Sequence, residues 1–408
     1  MNSPSDHNQS QVVEDTPSAI TLHQPLTGMR VVEMGSSVAG PYAGWVFAQL
    51  GAEVLKVEDP RSGDATRHWG VNDTHGHTAL FETLNNGKKS IAVDLTDSGD
   101  RDALRRLIVA STDIVLQNLR PGFAERCGLG QEALIAAKPD LIYCDLGAYG
   151  KGGPLQHLPG YDPLMQGFTG LAQATGTEDS PARVAAPVTD FLTGIWSVVG
   201  ALSALQTRHQ TGKGSAVDVS LMESGIALMT MFVGLFQSTN ARPQRNGLQG
   251  PLVAPNGGFM AQDGLVMIVC GTDHLFLKLC AAIDRPELGV DPRFASATAR
   301  YAGRAALQTE IESELKKHTR EHWMTKIGDG GVPIAPVNHV DEMMAHPQAR
   351  AVGMLQSLDT DDGTHSEFET ARLPIRLNGE RAGYTHRAPH LGEHTAALLD
   401  PFKTGPDA

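Results

Sequence analysis

The sequence has little cysteine and no paired cysteine motif. Only four cysteines occur in 408 residues, at positions 127, 144, 270 and 280, and no two of them form a CxxC pair. This pattern argues against a disulfide framework and a zinc ribbon, and it is typical of a reducing compartment. We therefore expect a cytoplasmic protein.

Runs rich in lysine or arginine are also missing. The chain has 33 Lys and Arg against 46 Asp and Glu, which gives a formal net charge of −13. Such a balance argues against a nucleic-acid-binding protein and against electrostatic attachment to a membrane surface. We expect neither nucleic acid nor membrane among its partners.

Long uninterrupted hydrophobic runs are absent as well. The two most apolar segments, Phe191–Thr207 and Ile226–Phe236, are broken by Gly, Thr and Ser or are too short to span a bilayer. We predict that both are buried helices. The first 26 residues are polar, without an apolar core or a basic start, so we predict a disordered tail rather than a signal peptide.

What the sequence does contain is a strand, a glycine-bearing loop, a helix and a second strand in succession. Met29–Met34 is apolar and β-branched, GSSVAGP follows it, Tyr42–Leu50 has helical spacing and Glu53–Glu58 is again strand-like. This order predicts a βαβ unit and a parallel sheet. Further strands at Ser90–Leu95, Asp113–Gln117 and Leu141–Asp145, with helices between them, predict a doubly wound α/β domain.

The loop Gly35–Gly40 does not match either common nucleotide motif. Pro41 and Tyr42 stand where a phosphate-binding loop requires Lys and Ser or Thr, and GxGxxG does not fit. A nicotinamide dehydrogenase is therefore disfavoured. Backbone N–H groups at the start of the following helix could still face an anion or a carbonyl group.

Other candidate sites favour simpler interpretations. His318 and His322 are four residues apart, but no third ligand is evident, so we expect two solvated histidines and no metal. Cys144 lies in an apolar strand and is better explained as core than as a nucleophile. A GxSxG motif is missing, which argues against a serine hydrolase of that type.

Asp190 has two interpretations that its local sequence does not separate. It directly precedes the apolar segment FLTGIWSVVGAL, with an expected helix over Asp190–Gln206, so it could be an N-cap. A carboxylate at a helix N-terminus is also expected to stay ionised, because the helix dipole favours the negative charge. An ionised, partly dehydrated carboxylate can attack a thioester.

Several blocks in series resemble the class III CoA-transferases, the group of formyl-CoA transferase, carnitine CoA-transferase and α-methylacyl-CoA racemase. The resemblance extends over about residues 27–399. Its blocks are GMRVVEMGSSVAGPYAGWVFAQLGAEVLKVEDPRSGD, NNGKKSIAVDL, QNLRPGFAERCGLG, GYDPLMQGFTGL, VTDFLTG, TGKGSAVDVSLMES, DPRF, GVPIAPV and APHLGEHT.

This resemblance implies a Rossmann-like parallel-sheet large domain, a smaller α/β domain and an interlocked homodimer. The boundaries predicted here are a tail at 1–26, the first part of the large domain at 27–225, a linker and small domain at 226–330, and a return segment at 331–408. It also implies coenzyme A or acyl-CoA as a substrate, with no covalently bound cofactor.

The resemblance assigns a catalytic role to Asp190, which matches the family's aspartate. In the transferases that aspartate forms an acyl anhydride and then an aspartyl-CoA thioester, so CoA moves between two acids without ATP. The positions that match CoA contacts are Val38, Ala39, Val93, Leu95, Asn118, Arg126, Gly147 and Tyr149. Lys88 and Lys89 are further phosphate partners by position, or else solvated turn lysines.

Three positions differ from the pattern of the family and narrow the range of expected reactions. Tyr161 replaces a histidine that the racemase branch uses as an acid or base, which favours a transferase. Asp59 replaces a basic residue of formyl-CoA transferase, and Arg61 could substitute for it. The glycine-rich stretch at 255–258 is shorter than in that enzyme, so oxalate–formate exchange is not expected and a larger acid is.

We therefore expect CoA transfer from an acyl-CoA, for example succinyl-CoA or another dicarboxylyl-CoA, to a free carboxylic acid. The alternatives at this point are an α-methylacyl-CoA racemase or epimerase and a non-catalytic CoA-binding protein.

Overall fold

The structure is a computed structural model that describes residues 24–71, 77–359 and 365–403. Of the predicted disordered tail, residues 1–23 lie outside the described residues. The three residues that follow are ordered against the chain, and the Leu26 N–H donates a hydrogen bond to the Leu50 carbonyl oxygen at 3.0 Å.

The described residues alternate between strands and helices. The strands are β1 Arg30–Met34, β2 Glu53–Glu58, β3 Lys89–Ala92, β4 Ile114–Gln117, β5 Ile142–Gly147, β6 Ala216–Ser220, β7 Asn256–Met260, β8 Leu265–Val269, β9 Ile334–Pro336, β10 Leu355–Asp359, β11 His365–Ala371, β12 Arg376–Leu377 and β13 Glu380–Arg381. The helices are α1 Ala39–Gln49, α2 Ala79–Asn85, α3 Ser98–Ser111, α4 Phe123–Arg126, α5 Gln131–Ala137, α6 Asp162–Phe168, α7 Leu171–Ala174, α8 Val188–Thr211, α9 Leu221–Leu228, α10 Thr230–Thr239, α11 Asp273–Ala282, α12 Ala297–Ala302, α13 Arg304–Leu315, α14 Arg320–Asp329, α15 Val340–Ala345, α16 Pro347–Ala351 and α17 Thr395–Leu398.

The main sheet confirms the predicted α/β fold. Its strand order is β3-β2-β1-β4-β5-β6, and β1 pairs in parallel with both β2 and β4. β3 continues the parallel pairing beyond β2, and β5 continues it beyond β4. In such a sheet the strand order reverses at β1, and ligands bind outside the carboxyl ends of the strands near that point.

Alternate residues of these strands fill two separate cores, one on each face of the sheet. Val31 and Ile114 pack with Phe47 of α1. Val32 packs on the opposite face with Leu104 of α3. Because both faces are covered, the strands are mostly apolar instead of alternating apolar and polar residues, and the charges of Glu33 and Lys56 inside them are paired with each other.

The chain divides into two compact units. Unit 1 comprises residues 1–146, 194–218 and 356–408, and unit 2 comprises residues 147–193 and 219–355. The division differs from the predicted boundaries, which placed 147–193 in the large domain and began the return segment at 331. The reason is pairing: β9, part of the VPIAPV segment, is antiparallel to β8 within unit 2.

Unit 2 has its own sheet and core. Strands β7, β8 and β9 form a three-stranded sheet in that order. Phe259 and Ile268 of this sheet pack with Phe276 of α11, Ile311 of α13 and Trp323 of α14. This is the smaller α/β domain that the sequence predicted, with different boundaries.

The apolar helices are only partly buried, which corrects the prediction that both are core helices. On α8, Val198 and Leu205 belong to a core of unit 1. The other side of α8 is open, with Trp196 and Val199 each 46% exposed, and α10 has no buried residue. Within the described residues, α8 alone has the length and composition of a membrane span, and the bent pair α9 and α10 passes the same test jointly.

Candidate active site

The loop after β1 is held against Asn118, which follows β4. The Ser36 N–H donates to Asn118 Oδ1 at 3.0 Å, and Asn118 Nδ2 donates to the Ser36 carbonyl oxygen at 2.9 Å. A Cβ atom at Gly35 would overlap Asn118 Oδ1, and one at Gly40 would lie 3.2 Å from Asn118 Cγ. The two glycines therefore allow the amide to approach, and Asn118 positions the loop.

Two fully buried lysines fix the ends of the same loop. Lys56 on β2 donates to the Gly35 carbonyl oxygen at 3.2 Å, and Lys88 donates to the Pro41 carbonyl oxygen at 2.7 Å. Both ammonium groups also contact Glu33 of β1, at 2.8 Å and 2.7 Å. Charge-assisted hydrogen bonds of this kind hold the loop in one conformation before any substrate arrives.

Asp64 completes this arrangement from the segment after β2. Its carboxylate lies 2.7 Å from Lys56 Nζ and accepts a hydrogen bond from the Ser37 N–H at 3.2 Å. Ser37 has a φ of 74°, a conformation that a non-glycine residue adopts only when its surroundings hold it. Burial opposes ionisation of Asp64, but Lys56 and the hydrogen bonds from Thr66 lower its pKa to about 2.

These contacts correct the assignment of Lys88 as a phosphate partner. Its ammonium group is fully buried against Glu33 and Asn85, and burial lowers its pKa to about 8. It has no exposed surface to offer a phosphate. Lys89 is 41% exposed and pairs with Glu53 at 2.7 Å, at the amino end of β3, which is the opposite edge of the sheet from the loop.

The predicted CoA positions Val38 and Ala39 lie where the loop enters α1. The helix begins at Ala39, three residues earlier than predicted, because Pro41 fits a first helical turn. In the described part of the chain, no acceptor pairs with the backbone N–H groups of Val38, Ala39 and Gly40. These N–H groups can receive an anion or a carbonyl oxygen.

The remaining positions of unit 1 lie near the carboxyl ends of its strands. Val93 directly follows β3 and is buried, with Leu95 half-buried beyond it. Arg126 ends α4, is exposed, and has no carboxylate partner among the residues described. Arg61 is exposed near the end of β2, but its guanidinium group is paired with Asp59 at 2.7 Å.

In unit 2, Asp190 is not the N-cap of its helix. α8 begins at Val188, so Asp190 lies in the first turn. The carboxylate that serves the helix start is Asp162, the first residue of α6, whose Oδ1 accepts hydrogen bonds from both N–H and Oγ1 of Thr189 at 2.9 Å. The capping interpretation of Asp190 is wrong, because Asp162, 28 positions before Asp190, accepts the hydrogen bonds at the helix start.

The ionisation of Asp190 also differs from the expectation. Burial, and then the negative charge of Asp162, raise the pKa of Asp190 to about 7. These two effects outweigh the helix dipole, so the carboxyl group is only about half ionised at neutral pH. A poorly solvated carboxylate of raised basicity is a stronger nucleophile than one in water.

Gly147 and Tyr149 lie in unit 2 with Asp190. Gly147 ends β5, and the Tyr149 ring packs edge-on against Phe168 of α6, with centroids 5.5 Å apart. Tyr161, the residue that replaces the racemase histidine, is 60% exposed. Among the described residues, no hydrogen bond joins Tyr149 or Tyr161 to Asp190.

Sequence reasoning missed the charged residues that shape these sites. Glu33 and Lys56 were visible as charges inside apolar strands, VVEM and VLKV, which is a signal of buried ion pairs. The local sequence gave no sign of the roles of Asp64 and Asp162, because each accepts hydrogen bonds from residues that are distant in sequence.

A metal centre has no support within the described ranges. No group of three or more His, Cys, Asp or Glu residues there could hold an ion. The rings of His318 and His322 stack with centroids 4.2 Å apart.

Comparison with known proteins gives a consistent result. The model of CoA-transferase family III matches residues 26–395. The chain is 36% identical to acetyl-CoA:oxalate CoA-transferase of Acetobacter aceti, covering 93% of this chain and 96% of that protein. It is 33% identical to succinate–glutarate CoA-transferase of Agrobacterium fabrum over the same shares, and 33% identical to succinyl-CoA–D-citramalate CoA-transferase of Chloroflexus aurantiacus, covering 92% and 93%.

Solved structures agree with these relatives. A CaiB/BaiF family protein from Brucella suis has a TM-score of 0.84 at 35% identity, covering 93% of this chain and 100% of that one. Rv3272 from Mycobacterium tuberculosis has a TM-score of 0.80 at 30% identity, covering 92% and 99%.

Proposed function

The chain belongs to CoA-transferase family III, and from this premise we propose that it moves CoA from an acyl-CoA to a free dicarboxylic acid with Asp190 as the covalent nucleophile. The observation that carries the proposal is the state of Asp190. Its carboxyl group lies in the first turn of α8, it has no cationic partner among the described residues, and its pKa is about 7. A structural carboxylate is usually hydrogen-bonded or ion-paired, whereas this one is available for reaction.

The proposed reaction has four balanced steps. An Asp190 carboxylate oxygen attacks the thioester carbon, CoA leaves as the thiolate, and an acyl–aspartyl anhydride remains. The thiolate attacks Cγ of Asp190, which releases the donor acid as its carboxylate and leaves an aspartyl-CoA thioester. The acceptor carboxylate attacks the same carbon and again expels the thiolate. The thiolate then attacks the acceptor's carbonyl carbon, which forms the new acyl-CoA and regenerates Asp190.

Unit 1 supplies the proposed binding surface for CoA. The unpaired N–H groups of Val38 and Ala39 and the exposed guanidinium group of Arg126 are donors that suit phosphate or carbonyl oxygens. The half-buried Leu95 adds apolar surface beyond the end of β3, whereas the Val93 side chain is buried in the core. Asn118 acts through Ser36, because both ends of its amide are bonded to that backbone.

The relatives suggest the acceptor class. Their names specify oxalate, glutarate, succinate and D-citramalate, all of which carry two carboxylates. We propose a dicarboxylate acceptor, with succinyl-CoA or another dicarboxylyl-CoA as the donor and acetyl-CoA as a second donor to test.

A donor–acceptor panel tests this function directly. The protein is incubated with succinyl-CoA or acetyl-CoA and, separately, oxalate, glutarate, citramalate or the monocarboxylate butyrate, and new CoA esters are measured by mass spectrometry. We expect esters of at least one dicarboxylate and much less of butyrate. Loss of α-deuterium from a chiral 2-methylacyl-CoA, without any new ester, would favour the racemase instead.

Arg126 provides a test of the CoA surface. Arg126→Ala is expected to raise KM for acyl-CoA roughly tenfold with little change in kcat, because a charge-assisted phosphate contact contributes to substrate and transition state alike. Arg105→Ala, an exposed arginine on α3, is the control. With an acyl-pantetheine donor, which lacks the adenosine phosphates, the Arg126→Ala effect should disappear; an unchanged KM for acyl-CoA would contradict the assignment.

We also propose a cytoplasmic homodimer. The exposed apolar side of α8 and the unburied helix α10 form surface of the kind that monomers rarely leave open. All four cysteines carry free thiols, which is in keeping with a reducing compartment.

A further inference from the structure

Asp162 is a buried carboxylate without a neutralising cation. It is 2% exposed, and no lysine, arginine or histidine pairs with it in the described part of the chain. Its three hydrogen bonds come from neutral donors: N–H and Oγ1 of Thr189 on Oδ1, and Nε2 of Gln166 on Oδ2 at 2.8 Å. Burying a carboxylate without a cationic partner costs free energy, so Asp162 is a candidate for a functional role.

The hydrogen bonds of Asp162 lead to the turn that carries Asp190. Thr189 is the residue before Asp190, and its carbonyl oxygen accepts a hydrogen bond from Thr193 Oγ1 at 2.7 Å. Gln166 extends the same network to the segment before α8, since it exchanges two hydrogen bonds with the Val184 backbone, at 2.8 Å and 3.0 Å. The Asp162 carboxylate therefore fixes the first turn of α8 to α6, and the Gln166 amide fixes the segment before it.

We propose that Asp162 is a positioning residue for Asp190: it fixes the first turn of α8 through Thr189, and its uncompensated negative charge increases the reactivity of the Asp190 carboxylate. This inference rests on the proposed function of Asp190 as nucleophile. Among the described residues, Asp162 is the one charged side chain with a resolved effect on the ionisation of Asp190. Without that charge, Asp190 would be less basic and hence a weaker nucleophile once ionised.

The test is the pH dependence of kcat in wild type and in Asp162→Asn, with the donor and acceptor that the panel identifies. The reactive form of Asp190 is the deprotonated one, so wild-type kcat should fall as the pH drops through about 7. We call this fall of kcat on the acidic side of the pH profile the acidic limb. In Asp162→Asn the acidic limb should move to lower pH by roughly one unit, because a neighbouring like charge is lost. The plateau at high pH should fall roughly tenfold or more, with KM changed less than twofold.

Two control variants separate the effect of the Asp162 charge from the effect of its hydrogen bonds to Thr189. Thr189→Val keeps the Asp162 charge but removes the hydroxyl donor, so kcat should fall several-fold while the acidic limb stays in place. Asp179→Asn removes an exposed carboxylate elsewhere in unit 2 and should change neither quantity. An unmoved limb in Asp162→Asn, or an unchanged kcat in Thr189→Val, would overturn the proposal.

A second variant tests whether a folding defect in Asp162→Asn, and not the loss of charge, changes kcat. In Asp162→Asn/Gln166→Glu, the new amide can donate to the new carboxylate, so the hydrogen bond between positions 162 and 166 remains while the charge moves away from Thr189 and the bond to the Val184 carbonyl oxygen is lost. Circular dichroism checks the fold of each variant, and the double variant should show a smaller shift of the acidic limb in the same direction. If wild type forms neither a new CoA ester nor a covalent CoA adduct with any donor, the proposed function fails; if wild type is active and the limb is unmoved, only the role of Asp162 fails.

Discussion

Asp190→Ala is expected to abolish CoA transfer, with a loss of roughly 10⁴-fold or more in kcat, the scale seen when a covalent nucleophile is removed. Both proposed intermediates, the anhydride and the thioester, are acyl derivatives of this one carboxyl group, so in this mechanism no other residue completes the exchange. The substitution removes a half-buried group without an ionic partner among the described residues, and we expect the protein to remain folded.

Intact-protein mass spectrometry gives the more direct reading of this variant. Wild type incubated with acyl-CoA and no acceptor should gain the mass of one CoA less one water, and Asp190→Ala should not. Asp179→Ala, at an exposed aspartate, should behave as wild type. A CoA adduct that persists in Asp190→Ala would show that another residue is the nucleophile.

Lys56→Met is expected to lower the free energy of unfolding of unit 1 by about 3–5 kcal/mol, because among the described residues it leaves the buried Asp64 carboxylate without a cation and leaves Glu33 with Lys88 alone. The ammonium group is completely buried. Burial alone lowers the pKa of Lys56, but Asp64 and Glu33 reverse this and raise it, so the lysine is charged throughout the ordinary pH range.

Urea unfolding followed by circular dichroism measures this loss. Lys316→Met is the matched control, since Lys316 is exposed and, within the described ranges, forms its one ion pair with Glu312, one turn earlier on α13; such a pair contributes about 0.5 kcal/mol. Adding Asp64→Asn to Lys56→Met should recover part of the stability, because it removes the charge that loses its cation, whereas Glu33 keeps its ion pair with Lys88. Equal effects of the Lys56 and Lys316 substitutions would contradict the role assigned to the buried network.

The strand–loop–helix order of the large sheet could be predicted because it depends on local patterns. The strands β1 and β2 and the helix α1 appear in the structure within about three residues of their predicted bounds. A helix or strand that buries one or both faces must repeat its apolar residues with a fixed period, so these features are written in neighbouring residues. Asp190 was identified in the same way, by a local block that resembles a family.

Contacts between distant parts of the chain could not be read from the sequence. Lys88 looked like a solvated turn lysine or a phosphate partner, yet it is buried on Glu33, 55 residues earlier. Residues 147–193 looked like part of the large domain, yet they belong to unit 2. In each case the local pattern permits several partners, and the burial of charge and apolar surface in three dimensions selects one.

The sequence by itself therefore determined the α/β class, the order of the main elements, the family resemblance and the candidate nucleophile. The tertiary structure alone decided that Asp162 accepts hydrogen bonds from the first turn of α8 and that two buried lysines bind carbonyl oxygens of the loop after β1. It also decided that one side of α8 stays exposed. The physical reason is the range of the forces involved. Periodic burial acts between neighbours along the chain, whereas the ionisation of Asp190 depends first on its burial and then on a carboxylate 28 residues away, and only folding produces both.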